Sequence, residues 1–582
     1  MRIKPGFALS VTTLTIASLT SLLPGSAAQV HVSAAFTPPE PEFSKALAFD
    51  RSPVVRNIVG TSRMSALPLA VDREIRPERG PIPTFKPFSG DAAVQPSMRA
   101  AVTNAATIPT PLQSFDGLGN LDNPPTLRFT PPDPVGAVGP NHFVEMDNVS
   151  FAVYDKQGNL LSGPTLTGDL WQGFAVPDCT DPSGDPVVLY DRNADRWLLS
   201  QFTTRGLSDP TLPFYNCVAI SETEDPTGAY FRYAFATTQS GKFFFPDYPK
   251  YGTFGNSYLL TSRDFGPTTE YGISVYALEK EKMLEGDPDA RMVHFFLDSA
   301  VVPIYQIGDG LLPVDVDGDE EPGDRVPAPV VGTMDNGAQY GAPFDALNIY
   351  ELSVRWRDQP TASLTLAAQL PVAEFDSTFP CTDKITPPPT SQTRSCIPQP
   401  GTTRKIDVLS YRQRPTFRLA YRKFDKYETM VTNQSVQARA GIAGVRWYEI
   451  RRIKGQYLLY QQGTYSPDDG VNRWMGSIAM DRRGNIAVGY SVGNSDVFPG
   501  IRYTGRLRRD PLGEMTLGEA SIIEGSGSQL SRGSRWGDYS ALTVDPADDC
   551  SFWYVNEYYK ATSVNLWSTR IGTFQLPGCR ER

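Results

Sequence analysis

The feature that most constrains this chain is a strand–turn–strand texture that recurs from about Phe115 to the C-terminus. The first unit reads GAVGPNHFVEMDN and then SFAVYDKQGNLL, with the turn at Asp155-Lys156-Gln157-Gly158-Asn159 between two alternating runs. VVLYDRNADRWLLSQF and CVAISETEDPTGAYFRYAF form a second unit, and further units follow near Tyr248, Ala328 and Ile406. The last two are MGSIAMDRRGNIAVGYSVG and YSALTVDPADDCSFWYVNEYY. One such unit cannot bury both faces of its sheet, whereas stacking units around an axis does so and leaves only short edges. Repeats of this length with about four strands each predict an all-β fold, a single β-propeller of about seven four-stranded blades. Asp191, Asp481 and Asp545 each head a tight turn, where a carboxylate bonds backbone N–H groups two residues on, so these positions read as structural. One short helix is expected over about Ala277 to Leu284, ended by Gly286 and Pro288.

Composition supports this reading, because 26 Tyr and 30 Phe suit strands while 49 Gly and 51 Pro suit turns. A net charge of −10 disfavours nucleic acid and anionic membranes as partners.

Arg2 and Lys4 precede an apolar run from about Phe7 to Leu23, and Ser26-Ala27-Ala28 offers a cleavage site. Residues 1–28 therefore read as a secretory signal peptide, and no later stretch is apolar enough for a membrane span. Residues 29–111, rich in Pro, Ala, Ser and Thr, read as an extended or disordered leader, with the propeller over 112–582. All six cysteines lie beyond the signal, and an even count fits disulfides in an oxidising compartment. Fifteen pairings are open; the sequential one joins Cys179 to Cys217, Cys381 to Cys396 and Cys550 to Cys579. A secreted protein, extracellular, periplasmic or at the cell surface, is the expectation.

Ser466-Pro467-Asp468-Asp469-Gly470-Val471-Asn472-Arg473-Trp474 approaches the S-x-D-x-G-x-x-W box with one extra residue before the Trp. With the blade texture over about Phe115 to Cys579, the chain resembles secreted bacterial β-propellers of the sialidase-like, BNR-repeat kind. That resemblance implies the fold. As an activity it implies a glycoside hydrolase, with an Arg cluster for a sugar carboxylate, a Tyr/Glu nucleophile pair and an Asp acid.

Other chemistry finds little footing. The three His are isolated, and no nucleophile elbow, P-loop or dinucleotide fingerprint occurs. Asp315, Asp317 and Asp319 flank Gly318 in the densest acidic run, which reads as a solvated loop or, alternatively, as a Ca2+ site; no other cofactor is implied. Arg473-Trp474 and Arg535-Trp536 open corresponding units, with Asp538 and Tyr539 just beyond the second pair. Asp185, Asp247 and Asp407 lie near other unit starts, and Arg418, Arg422 and Arg263 are available to join them. In a propeller the residues that open the innermost strands crowd at one mouth of the channel. These side chains are therefore the ligand-binding candidates, with inter-blade ion pairs and Trp packing as the structural alternative. Tyr554, Tyr558 and Tyr559 offer stacking faces for sugar rings, and Asn148 and Asn433 begin formal glycosylation sequons. The expected function is binding of an extracellular glycan or protein. A sialidase-like hydrolase and a structural component of the cell surface or of an extracellular assembly are the alternatives.

Overall fold

The computed structural model describes residues 36–58, 90–96 and 107–580, apart from 183, 240, 267–268, 337–340, 378–394 and 408–412. The signal segment 1–28, much of the leader, His31 and Cys381 lie outside the described residues.

The regular secondary structure of the described chain is almost all strand. Seven antiparallel meanders of four strands follow one another, with first strands Val135–Val138, Val187–Asp191, Phe245–Phe254, Leu312–Val316, Thr416–Phe424, Asn472–Met480 and Ala541–Val544. We number these meanders units 1 to 7. Each first strand lies against the first strand of the next unit, and that of unit 7 lies against that of unit 1. The first strands of units 4 and 5 are hydrogen-bonded in parallel, Val314 opposite Leu419. Unit 7 takes its outermost strand, Gln113–Gly119, from the N-terminal side of the chain, paired on Trp567–Gln575.

The strands of each unit alternate apolar residues between its two faces, and both faces are covered by neighbouring units. The apolar core is accordingly distributed between units. Trp197, Tyr233 and Phe235 serve one cluster, Ile349, Tyr421 and Tyr448 another, and Tyr503, Tyr554 and Phe574 a third. The Asp-led turns form as the sequence indicates. Asp191 accepts from the N–H groups of Asn193 and Ala194, Asp481 from those of Arg483 and Asn485, and Asp545 from that of Ala547. The short helix is Lys280–Glu285, closed by Gly286 at φ 69°. It starts later than its composition suggests, because Ala277 and Leu278 continue the preceding strand opposite Val293 and Met292.

Two disulfides fasten loops to this frame: Cys179–Cys217 and Cys550–Cys579, with Cα atoms 6.0 and 5.7 Å apart. Of the remaining sequential pair, Cys381 with Cys396, only Cys396 lies among the described residues, where it is buried.

The described parts of the segment before Leu112 are built into the structure. Glu42–Lys45 adds a fifth strand to unit 3, and Ala48–Arg51 adds one to unit 2. Val94 bridges to Thr464 on the last strand of unit 5, and the Leu112 N–H bonds the Thr573 carbonyl of unit 7.

The closing strand of unit 7 rests on a buried carboxyl. Glu145, on the second strand of unit 1, accepts from the Leu118 N–H at 2.9 Å. Gly117 permits this approach, since a Cβ there would lie 2.2 Å from the Glu145 carboxyl oxygen. Burial, with Asp147 and Asp122 nearby, pushes the Glu145 carboxyl up to about 8. A raised carboxyl is favoured in its neutral form. Its contribution to stability is complete below its ordinary value of 4.5 and is lost as pH rises through about 8. Glu145→Gln is therefore expected to remove part of the fall in melting temperature between pH 6 and 9. A parallel pH profile for wild type and variant contradicts this.

Candidate functional site

Because the seven first strands sit side by side, the residues that open them meet at one end of the ring. Two of these openings share a sequence: Asp133-Pro134-Val135 in unit 1 and Asp185-Pro186-Val187 in unit 2. Two others share Asp-Tyr: Asp247-Tyr248 in unit 3 and Asp538-Tyr539 in unit 7. Asp309 precedes the first strand of unit 4 and Arg414 that of unit 5.

These side chains form one connected array. The Asp538 N–H bonds Asp133 at 2.6 Å. Asn148 links units 1 and 2, donating to Asp133 at 2.7 Å and accepting from the Asp185 N–H at 2.9 Å. One Asp185 carboxylate oxygen accepts from the Tyr248 N–H at 3.0 Å and from the Tyr539 hydroxyl at 2.8 Å. Arg535 pairs with Asp538 at 3.1 Å, and Arg414 reaches the same carboxylate at 3.7 Å. Arg263 lies 3.2 Å from Asp309 and 3.8 Å from Asp247. The Tyr248 and Tyr539 rings stack 5.3 Å apart at 11°, with the Lys250 ammonium over both.

Four of the eight non-glycine residues with positive φ among the described residues stand at this array. Asp133, Asp185 and Tyr248 have φ of 48°, 42° and 54°. Ser534, just ahead of Arg535, stands at 58°. Non-glycine residues held at positive φ cost on the order of 1 kcal/mol or more each, and they gather where a site over-determines its geometry. The electrostatics agree. Burial, with Asp538 adding like charge, pushes the Asp133 carboxyl up to about 6. Asp185 is raised by burial and then by Asp247 and Asp133, and Asp247 is raised by burial despite Arg263. Burial holds the Lys250 ammonium well below the usual lysine range. Five carboxylates interleaved with three guanidiniums offer acceptors and donors side by side, which is the pattern that meets neighbouring hydroxyls on one ligand.

Of the residues expected from sequence, Asp185, Asp247, Arg535, Asp538 and Tyr539 come together here, joined by Arg263. The others do not. Arg473 is buried on unit 6, where it donates to Asp469 at 2.8 Å and Glu519 at 2.8 Å, both carboxylates near its own unit. Trp474 and Trp536 meet edge to face at 5.7 Å, buried between units 6 and 7, so they are scaffold. Arg418 lies buried between the first strands of units 4 and 5 and donates to both Asp315 and Asp317. That corrects the Ca2+ reading. Asp315 and Asp317 hold a guanidinium, Asp319 pairs with Arg192, and no cluster of metal-ligating side chains occurs among the described residues. Arg422 instead pairs with Asp549 at the far end of its strand, and the Asp407 side chain lies outside the described residues. Tyr554, Tyr558 and Tyr559 are buried in core packing, so they present no face to a sugar. The Asp469 box lies in the connection between units 5 and 6, where Asp469 accepts from the Val471 N–H and binds Arg473. Asn433 is fully buried, and Asn148 is a member of the array; neither reads as an exposed sequon.

Sequence reasoning missed Asp133, Asn148, Tyr248, Lys250, Asp309 and Arg414. The repeated Asp-Pro-Val and Asp-Tyr at unit openings is the signal that finds two of them, Asp133 and Tyr248.

No family model matches the sequence, and no curated protein matches it. Among solved structures, an endo-arabinase from Bacteroides thetaiotaomicron is 12% identical with a TM-score of 0.27, over 56% of this chain and 95% of that one. A Hadza microbial sialidase is 9% identical with a TM-score of 0.33, over 75% and 73%. An α-L-arabinanase of Penicillium chrysogenum, solved with arabinobiose, is 8% identical with a TM-score of 0.25, over 66% and 90%. These likenesses are distant, and the chemistry of the mouth does not follow from them.

Proposed function

We propose that the seven units are the blades of one closed propeller, exported by the segment 1–28, and that its mouth binds an extracellular glycan. The observation that carries this reading is the array itself. Asp133, Asp185, Asp247, Asp309 and Asp538 interleave with Arg263, Arg414 and Arg535 at the openings of six units. Carboxylate–guanidinium pairs are acceptors and donors in fixed register, and a sugar's adjacent hydroxyls fill both. A recessed polar array with a stacked tyrosine pair suits such a compact, hydroxyl-rich group better than the broad apolar-centred face of a protein partner. Export is supported by the three-part signal and by disulfides in the folded domain.

Hydrolysis of the sialidase-like kind finds less support. It asks for Arg473 at the mouth and for a Tyr/Glu pair, whereas Arg473 binds Glu519 on unit 6 and Tyr539 donates to an aspartate, Asp185. Glu557 is fully buried and accepts from the Gly537 N–H.

A glycan array followed by calorimetry tests the reading. We expect a hit whose affinity falls at least tenfold in Arg535→Ala and in Asp538→Asn. An empty array, or affinity unchanged in both variants, overturns it.

A further inference from the structure

The Lys250 ammonium stands in an unusual place among the described residues. Lys250 is on the first strand of unit 3, two residues past Tyr248, and its relative exposure is 0%. An ammonium has three N–H donors. Here its only hydrogen bond to a described residue goes to the Pro249 carbonyl at 3.1 Å. In place of further acceptors it has two aromatic faces, with the nitrogen 3.2 Å from the Tyr248 centroid and 3.4 Å from that of Tyr539. The two rings come from different units and are nearly parallel. Burial works against the charged form of Lys250, while the Asp185 carboxylate and two desolvated cation–π contacts, worth about 2 kcal/mol or more each, act in its favour. A leucine or methionine would fill the same space without that cost. What only the ammonium supplies is a reason for two electron-rich ring faces to lie parallel with a gap between them.

The ring pair in turn fixes groups that have hydrogen-bonding capacity to spare. Tyr539 donates to Asp185. The Tyr248 hydroxyl is buried without a hydrogen-bond partner among the described residues, as are Nε of Arg414 and the terminal nitrogen that faces Asp538 at 3.7 Å, beyond hydrogen-bond distance. The Arg414 guanidinium lies over the Tyr248 ring, 3.6 Å from its centroid. Guanidinium, ring, ammonium and ring thus make one stack, and the charged groups around Lys250 are Asp185, Arg414, Asp538 and Asp133.

We propose that Lys250 is a positioning residue of the mouth: its ammonium clamps Tyr248 and Tyr539 into a parallel pair. The clamp holds the open donors of Tyr248 and Arg414 in place for the ligand. The ligand part of this inference rests on the glycan-binding reading above; the clamp itself does not.

Replacement and chemical rescue test it. Near-UV circular dichroism of the tyrosines reads the ring pair, and Lys250→Arg is expected to retain the wild-type signal while Lys250→Met loses it. Lys250→Ala is expected to lose it and to recover it on binding one equivalent of methylammonium; Lys250→Ala with Tyr248→Leu is expected to bind none. Calorimetry with the array-selected glycan should show at least a tenfold loss in Lys250→Met, and recovery in Lys250→Ala when methylammonium is present. A residue that only fills space gives no such recovery. Wild-type dichroism in Lys250→Met, or no uptake of methylammonium by Lys250→Ala, overturns the clamp. Should Arg535→Ala and Asp538→Asn leave glycan affinity unchanged, the mouth reading fails while the dichroism and methylammonium results still decide the clamp.

Discussion

Asp185→Ala is expected to lower glycan affinity at least a hundredfold and to lower the melting temperature by several degrees. One carboxylate oxygen of Asp185 accepts both the Tyr248 N–H of unit 3 and the Tyr539 hydroxyl of unit 7. Truncation strands two donors in a largely buried place, and each buried unsatisfied group costs about 1–3 kcal/mol. It also frees two of the openings that the mouth needs in register. Asp185→Asn should behave differently. Burial and neighbouring carboxylates raise the Asp185 carboxyl, so the fold favours its neutral form, and a neutral isostere keeps an acceptor for the same two donors. We expect Asp185→Asn to melt within a few degrees of wild type while still binding more weakly. Calorimetry and thermal melts on the pair check both statements. Equal binding by Asp185→Ala and wild type contradicts the role assigned to this carboxylate.

The largest effect on stability is expected far from the mouth. Asp91 and Arg446 form an ion pair with both side chains at 0% exposure, 2.9 Å apart. Asp91 also accepts from the Thr464 hydroxyl, while Arg446 donates to the Ala373 carbonyl and to Gln462. Removing one member of a buried pair leaves the other charge uncompensated and costs about 3–5 kcal/mol. Asp91→Ala should show that loss in urea unfolding, and Asp91→Asn a smaller one. A loss below about 1 kcal/mol in Asp91→Ala would mean that the segment around Asp91 is not integral to the fold. Glu42–Lys45, Ala48–Arg51 and Asp91 all join the units, so these described parts of the segment before Leu112 belong to the fold.

The repeat was legible because its signals are local. An aspartate at the head of a hairpin and alternating aromatic residues declare themselves within a dozen positions, and Asp191, Asp481 and Asp545 play the parts their spacing indicates. The mouth was legible only in part because its members are brought together by ring closure. Asp538 meets Asp133, and Tyr539 meets Asp185, across separations that no local pattern reports. Arg473 shows the opposite error. Its sequence context matches that of Arg535, but the carboxylates of Asp469 and Glu519 lie within reach and hold it on unit 6. Equivalent positions in a repeat share a backbone environment, and the neighbouring loops decide what each side chain does. The acidic run at Asp315 fails as a Ca2+ site for the same reason, since Arg418 on the adjacent first strand supplies the positive charge.

The ligand is expected to sit where the first strands open. A crystal structure of the protein soaked with the array-selected glycan decides this. Sugar density is expected at the mouth, with hydroxyls on Asp185, Arg414, Arg535 or Asp538. Density confined to the outer faces of the units, with the mouth side chains paired as they are here, would contradict it.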